Sequence, residues 1–531
     1  MDDFSKMLFR RVTGKNLDDV LAIPTLQGVV AKATSDLASR LGPTRLLGYD
    51  AQMMPVVLSE EEREAHIHIL GAPGEGKSKF IELLVRGDIE RGYGACLLDP
   101  SENGDTANKI LKYCASIGFK KVCYINPVDF LEFSRVPVIQ PFKYKAPPEV
   151  SVGNLMDALK VLWATKDFSE TPRIQRYVSA VLHALLAAGL TLPESKYFLS
   201  RQFVWQREHI LRSLPADNNH RFNLDQAYTD RFTFEAFQSS VNRMNVFQDS
   251  TIQMMLGSQK IAIPWSTMIS KGWLVLVNLD PQSVWGTEQI QQRLLGTLII
   301  NEIVHSIHRL QSKGWKGVYY LYIDEVGDYA TSKLAYILDK KRKTGLRFTF
   351  AHQRFEQIED RGVQSSIRGS AKTKVLFYTP NVQDRQLMMK DMGYGGSLPD
   401  RSVSYELGQT AKQSAAISIG KRNPRITRLV DVPDIQVSGK ALAEFKKELY
   451  SYEWFHHPKE INQEINARFA RPASTASINP TNQPGGYDAG RPARTRKTAV
   501  RRAAKIDSGA SRQPRPTAAK RRPVKTVFSE E

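Results

Sequence analysis

The 531-residue sequence predicts an α/β fold, a mainly parallel sheet with helices on both faces. Three observations carry that expectation. Over 67–141, short apolar runs that read as buried strands alternate with helical runs, and the alternation returns after residue 273; this is the pattern of strand–helix–strand crossovers. One strand-to-helix junction is rich in glycine, Gly71-Ala-Pro-Gly-Glu-Gly-Lys-Ser78. Between them, over 148–259, the strand signal fades and apolar residues fall at helical spacing.

Taken in order, 1–48 is mixed and amphipathic, with helical spacing over 20–41. A short strand over 53–58 leads into an acidic turn, Glu60-Glu61-Glu62. His66 to Leu70 is a strand, and a helix starts after the glycine-rich loop. Ala95-Cys-Leu-Leu-Asp99 is a buried strand ending in a carboxylate, 107–117 a helix, and 121–126 the next strand. Helical spacing then appears over 152–163, 173–188 and 234–255, with Trp163, Trp205, Met244 and Met254 read as core. Strands resume at 273–279, 319–323, 347–351 and 374–378, with helices over 289–310 and 334–343. Segments 402–407 and 415–419 read as antiparallel additions at the edge, and the fold is expected to end near Pro458. The domain plan is therefore an N-terminal helical segment (1–48), an α/β domain in two parts (49–147 and 261–458) with an inserted all-α domain (148–260), and a tail (471–531).

The tail is rich in Pro, Ala, Ser, Thr, Gly and Arg without apolar periodicity, so it cannot bury enough surface to offset its ordering entropy; disorder is expected. From Arg471 onward there are fourteen Lys/Arg against four Asp/Glu, about half of the +19 formal charge. Such a surplus favours a nucleic acid or another polyanion as partner. The three cysteines, Cys96, Cys114 and Cys123, lie in or beside apolar segments without metal-ligand spacing, which fits reduced core residues. No stretch reaches the length of a membrane span and no leader-type apolar run opens the chain. The expected location is the cytoplasm.

The glycine-rich loop is a P-loop in its required context of strand, loop and helix. Gly71, Gly74 and Gly76 let backbone N–H groups turn inward around phosphate oxygens, so Gly71, Ala72, Pro73, Gly74, Glu75, Gly76, Lys77 and Ser78 form the expected nucleotide cradle. Lys77 would place its ammonium on the terminal phosphates, and Ser78 would offer a hydroxyl to Mg²⁺. The run Val318-Tyr-Tyr-Leu-Tyr-Ile-Asp324-Glu325 is an apolar strand ending in two carboxylates. That is the form of a Walker B element, with Asp324 toward Mg²⁺ and Glu325 polarising the attacking water. The second carboxylate favours an ATPase, and Asn126 is not followed by the guanine-reading loop of a GTPase. Gln353, at the carboxyl end of the next strand, is placed to sense a γ-phosphate. A small-molecule kinase lacks any recognisable acceptor pocket and leaves the length and charge unexplained.

The ordered set resembles the FtsK–HerA superfamily of DNA-pumping ATPases, and most of all the type IV coupling proteins of conjugation. The set is Gly-Ala-Pro-Gly-Glu-Gly-Lys-Ser, Leu-Leu-Asp99-Pro-Ser-Glu-Asn-Gly104-Asp105, a helical insertion, Ile-Asp324-Glu325, then Arg342-Lys-Thr-Gly-Leu and Ala-His-Gln353. The likeness covers roughly 48–429. It implies a RecA-like P-loop domain, an ATP-hydrolysing DNA translocase, and a hexameric ring with DNA through its centre. It also implies that Arg342 is an arginine finger reaching a neighbour's ATP and Gln353 the sensor. A relaxase or a membrane-embedded secretion component is the implied protein partner. The family's turn after the second strand is shorter than the one here, so Asp99 and Asp105 carry over weakly. Two further readings stay open, a HerA-like DNA-processing motor and a nucleotide-gated DNA-binding scaffold.

Overall fold

The computed structural model describes residues 45–50, 52–142, 147–162, 172–229, 231–280, 290–330, 332–340, 345–393, 407 and 413–469. The expectations for 1–44, for 402–406, for Trp163 and Arg342, and for the basic tail lie outside these residues.

Thirteen strands are described: β1 (Arg45–Asp50), β2 (Pro55–Leu58), β3 (His66–Leu70), β4 (Gly94–Asp99), β5 (Val122–Ile125), β6 (Val136–Pro137), β7 (Leu274–Asn278), β8 (Tyr319–Ile323), β9 (Leu346–His352), β10 (Ala371–Phe377), β11 (Ser414–Ile419), β12 (Arg425–Leu429) and β13 (Phe455–His456). Eleven form one sheet in the order β2-β1-β12-β11-β10-β3-β9-β8-β4-β7-β5. From β10 to β5 every pairing is parallel. From β10 outward through β11, β12, β1 and β2 every pairing is antiparallel. The fold is thus the mainly parallel α/β sheet that the sequence predicts, and β11 is antiparallel as expected but lies between β10 and β12 rather than at the sheet's edge.

The parallel strands β3, β4, β5, β7, β8 and β9 are buried at every residue, because helices cover both faces. Their apolar runs follow from that. The chain leaves β3 through the helix Lys77–Glu90, whose Phe80, Ile81, Leu84 and Val85 are buried, and enters β4 three places away. Later chain, β8 and β9, fills the gap. The strand beside β3 is therefore β9, which leads to Gln353, and the Asp324-Glu325 strand β8 lies one place further out. The chain then crosses from β9 over β3 to β10. Connections thus diverge on either side of β3, and in open α/β sheets such a switch point opens a crevice at the carboxyl ends of the strands.

Residues 148–256 contain the helices Pro148–Leu162, Pro172–Ala187, Val204–Leu211, Asn219–Ala227, Arg231–Val241 and Ser250–Leu256. Their buried side chains share one apolar cluster with those of the sheet. The single helix expected over 234–255 is broken. A 3-10 turn covers Asn242–Gln248, and Asp249 starts a new helix by accepting from Thr251 N (2.9 Å) and Ile252 N (3.0 Å). Helical spacing survives across such a break, whereas the side-chain cap interrupts the backbone ladder. Trp205 is exposed, stacking on His209 rather than entering the core, whereas Met244 is fully buried.

Two other expectations change. Glu60–Arg63 is a short helix, not a turn, closed by a reciprocal cap between Ser59 and Glu62. The fold also runs past Pro458: the helix Pro458–Ala467 buries Ile461 and Ile465, one turn apart. Arg468 follows it and meets Glu194 (2.7 Å), Glu464 (2.6 Å) and the Gly257 carbonyl (2.7 Å). Helices Arg361–Ser370 and Val382–Asp391 begin at the capping residues Asp360 and Asn381, a signal that apolar periodicity alone does not carry. Cys96, Cys114 and Cys123 are free and buried. No helix among the described residues is long and apolar enough to cross a membrane by itself.

Candidate nucleotide site

A cleft of about 620 Å³ opens at the carboxyl ends of β3, β8 and β9. Its walls include Pro73, Gly74, Lys77, Ser78, Asp324, Glu325 and Gln353. Residues predicted from three separate stretches of sequence therefore meet in one place.

The loop after β3 holds its shape through glycine. Gly76 has φ +116°, a left-handed value that begins the helix Lys77–Glu90, and Gly74 has φ +80°. At Gly71 the demand is space: a Cβ there would lie 2.5 Å from the Phe377 Cβ of β10. Lys77 is buried, and its ammonium folds back on the loop, donating to the carbonyls of Gly71 (2.8 Å) and Ala72 (3.0 Å). Burial lowers its pKa, opposed by Asp324, Glu325 and Glu75.

The carboxylates opposite are short of positive charge. Asp324 is 6% exposed, and its carboxyl is pushed up to about 7, first by burial, then by Glu325 and Asp99. Lys77 opposes the rise without cancelling it. A hydroxyl (Ser78) and a buried carboxylate facing one cleft make the oxygen donor set of a hard cation, so the residues present fit Mg²⁺. Among the described residues no cluster of three His, Cys, Asp or Glu side chains forms a self-contained metal site.

Glu325 sits at φ +52°, unusual for a residue with a side chain. Burial raises its pKa, opposed by Gln353, Lys77 and Gln357. Gln353 Nε2 donates to Glu325 Oε1 at 2.6 Å, and Gln357 Nε2 to Glu325 Oε2 at 3.1 Å. Behind this turn, His352 Nδ1 donates to the Arg354 carbonyl at 2.9 Å. Its Nε2 is then an acceptor, and His68 Nε2, on β3, lies 2.7 Å away as the donor. The two imidazoles are fully buried and stacked, which ties the phosphate-loop strand to the strand of Gln353.

Sequence reasoning missed Gln357, Gln292, Arg293 and Asp328, which also line the cleft. Arg293, from the helix Ile290–Ser312, pairs with Asp328 at 3.1 Å. Gln357 and Asp328 stand close to Gln353 and Asp324 in sequence; nothing in the sequence marks Gln292 and Arg293. Asp99 turns into the fold, accepting from Ser101 N (3.0 Å), Ser101 Oγ (2.5 Å) and Ala107 N (2.8 Å). Asp105 pairs with Lys109 at the surface (2.6 Å). Arg342 lies outside the described residues.

No protein-family model matches this chain, and no curated protein matches it in sequence. Solved structures do match its fold. VirB4 of Thermoanaerobacter pseudethanolicus is 14% identical, with a TM-score of 0.51 over 74% of this chain and 97% of that one. The bacterial conjugative coupling protein TrwBdeltaN70 is 16% identical, with a TM-score of 0.54 over 74% and 90%. The plasmid coupling protein TrwB in complex with the non-hydrolysable GTP analogue GDPNP is 18% identical, with a TM-score of 0.50 over 74% and 91%. At these identities the likeness shows a shared fold.

Proposed function

We propose that this chain is an ATP-hydrolysing DNA translocase of the conjugative coupling-protein type, acting as a hexameric ring. The observation that carries the enzymatic part is the convergence of Lys77, Ser78, Asp324, Glu325 and Gln353 on one cleft at the switch point of the sheet. The shared fold with TrwB and VirB4 and the +19 formal charge support DNA as the polymer that is moved.

In this reading residues 71–78 cradle the triphosphate. Lys77 leaves the Gly71 and Ala72 carbonyls and takes the terminal phosphates. Glu325 accepts hydrogen bonding from the attacking water and polarises it, and Gln353 moves from the Glu325 carboxylate to the γ-phosphate. Ser78 and Asp324 would hold Mg²⁺, which supplies neutralisation of the charge that develops on the phosphate oxygens. Arg342 of a neighbouring subunit would complete the site in the ring. The helical segment 148–260 serves as an inserted domain facing DNA or the transfer apparatus. A relaxase or a membrane-embedded secretion component is the partner that this role requires, at the inner-membrane surface.

The test is the ATPase rate of purified protein with and without single- and double-stranded DNA, across protein concentration. Stimulation by DNA, with activity per subunit rising with concentration, is expected. A rate indifferent to both sinks the ring-motor assignment.

A further inference from the structure

Gln357 is bonded at both ends of its side-chain amide. Its Oε1 accepts from the backbone N–H of Gln353 (2.9 Å) and of Arg354 (2.9 Å). Its Nε2 donates to Glu325 (3.1 Å). The same amide therefore fixes the turn that carries Gln353 and grips the carboxylate that faces the cleft. The backbones are fitted to each other here as well: a Cβ on Gly327, two residues after Glu325, would meet the Gln357 carbonyl at 2.5 Å. The turn is anchored on its far side by the His352–Arg354 bond and by Phe355 N donating to Asp384 (3.3 Å).

Two amides thus hold one carboxylate, one on each oxygen. They are not equivalent. Among the described residues the Gln353 side chain holds only Glu325, through Nε2, and moving that N–H to a phosphate costs the turn nothing. Gln357 cannot leave without releasing two backbone N–H groups. We infer that Gln357 is a positioning residue for hydrolysis: it keeps Glu325 aimed while Gln353 shifts to the nucleotide. The sharing explains how a residue at φ +52° stays in one orientation through that exchange. This inference rests on the reading of Glu325 as the group that polarises water.

Gln357→Glu separates the two ends. The new side chain keeps an acceptor for the Gln353 and Arg354 N–H groups but sets a second carboxyl where the donor to Glu325 stood, so the two acids repel or share a proton and Glu325 loses its fixed aim. The expected result is a fall of about tenfold or more in kcat, the effect of replacing a hydrogen bond to a charged group by a contact between two acids. KM for ATP, affinity for a fluorescent ATP analogue and the melting temperature stay near their unsubstituted values, which a merely structural role would not produce. Should Gln357→Glu melt early, Gln357→Met applies the same kcat-against-KM test with the bulk retained. Glu325→Gln, measured alongside, is expected to bind the analogue and not turn over. Normal kcat in the Gln357 variants with an inactive Glu325→Gln overturns the role of Gln357 alone. Turnover by Glu325→Gln removes the underlying reading as well.

Discussion

Two buried carboxylate clusters lie on this sheet, and they are built in opposite ways. Asp88, on the helix Lys77–Glu90, is fully buried and surrounded by donors. Arg63 grips both of its oxygens, Arg45 meets Oδ1 at 3.1 Å, and the Tyr322 hydroxyl adds a fourth bond. Arg63 also bonds the Tyr322 hydroxyl at 2.8 Å and lies 3.9 Å from the centre of the Tyr320 ring. In the cleft, Asp324 and Glu325 share one ammonium, Lys77, which is already occupied by two carbonyls. The first cluster is closed and complete. The second is left short of positive charge where a ligand would bring it. Strand β8 serves both, with Tyr322 in one and Asp324 following its end. The difference separates a carboxylate whose partners are all supplied by the fold from two that lack them.

Substitutions separate the two. The largest effect is expected for Lys77→Ala: ATP turnover falls to background while the melting temperature shifts little. Retained DNA-stimulated turnover would count against the nucleotide site. Next, Asp88→Asn leaves two buried guanidiniums without their anion and is expected to destabilise by about 3–5 kcal/mol; a denaturation midpoint unchanged from that of the unsubstituted chain would show that the closed cluster is dispensable. Asp324→Asn is expected to do the reverse, raising the stability of the nucleotide-free chain by about 1 kcal/mol while abolishing turnover. If it destabilises, the cleft is not short of positive charge.

The smallest effect is a pH dependence at the His68–His352 pair. Burial holds both imidazoles below the usual range, with His352 lowered to about 4 and His68 also pressed down by its neighbour. The unfolded imidazoles take protons below about pH 6.5. Stability from this pair is therefore full above that pH and drains away as the pH falls toward 4, each imidazole contributing a slope of at most about 1.4 kcal/mol per pH unit. The charged side chains around the pair, Lys77, Lys374 and Arg368, all act in the same direction. Replacing both histidines by Phe is expected to flatten the acid limb of melting temperature against pH between 6.5 and 5; an unchanged limb would assign it to other groups.

The two clusters also differ in how far they were legible. Lys77, Ser78, Asp324, Glu325 and Gln353 sit in short stretches where residue type, spacing and a flanking strand or helix all point one way. Asp88 with Arg45 and Arg63 reads as ordinary surface charge on amphipathic segments, because only strand order brings them together. Arg293 was invisible for the same reason, lying on a long apolar helix with no local signal. The parallel sheet was readable because strands buried on both faces are uniformly apolar. Its order was not: periodicity says that β8 and β9 are strands and is silent on which one lies beside β3. The expected end at Pro458 falls on a proline that in fact begins a helix, as proline does well at a first helical position.

The place of β3 has a consequence in time. Both of its neighbours come from late in the chain, one starting at Leu346 and the other at Ala371. During synthesis the segment His66–Leu70 emerges long before either partner exists. At ~5–20 residues per second, roughly 15–55 s pass before β9 is made. Throughout that interval the future phosphate loop is attached to an unpaired apolar strand, which is the kind of segment that chaperones shelter. The cleft therefore does not exist on the nascent chain, and it comes into being only with the last strands of the parallel sheet.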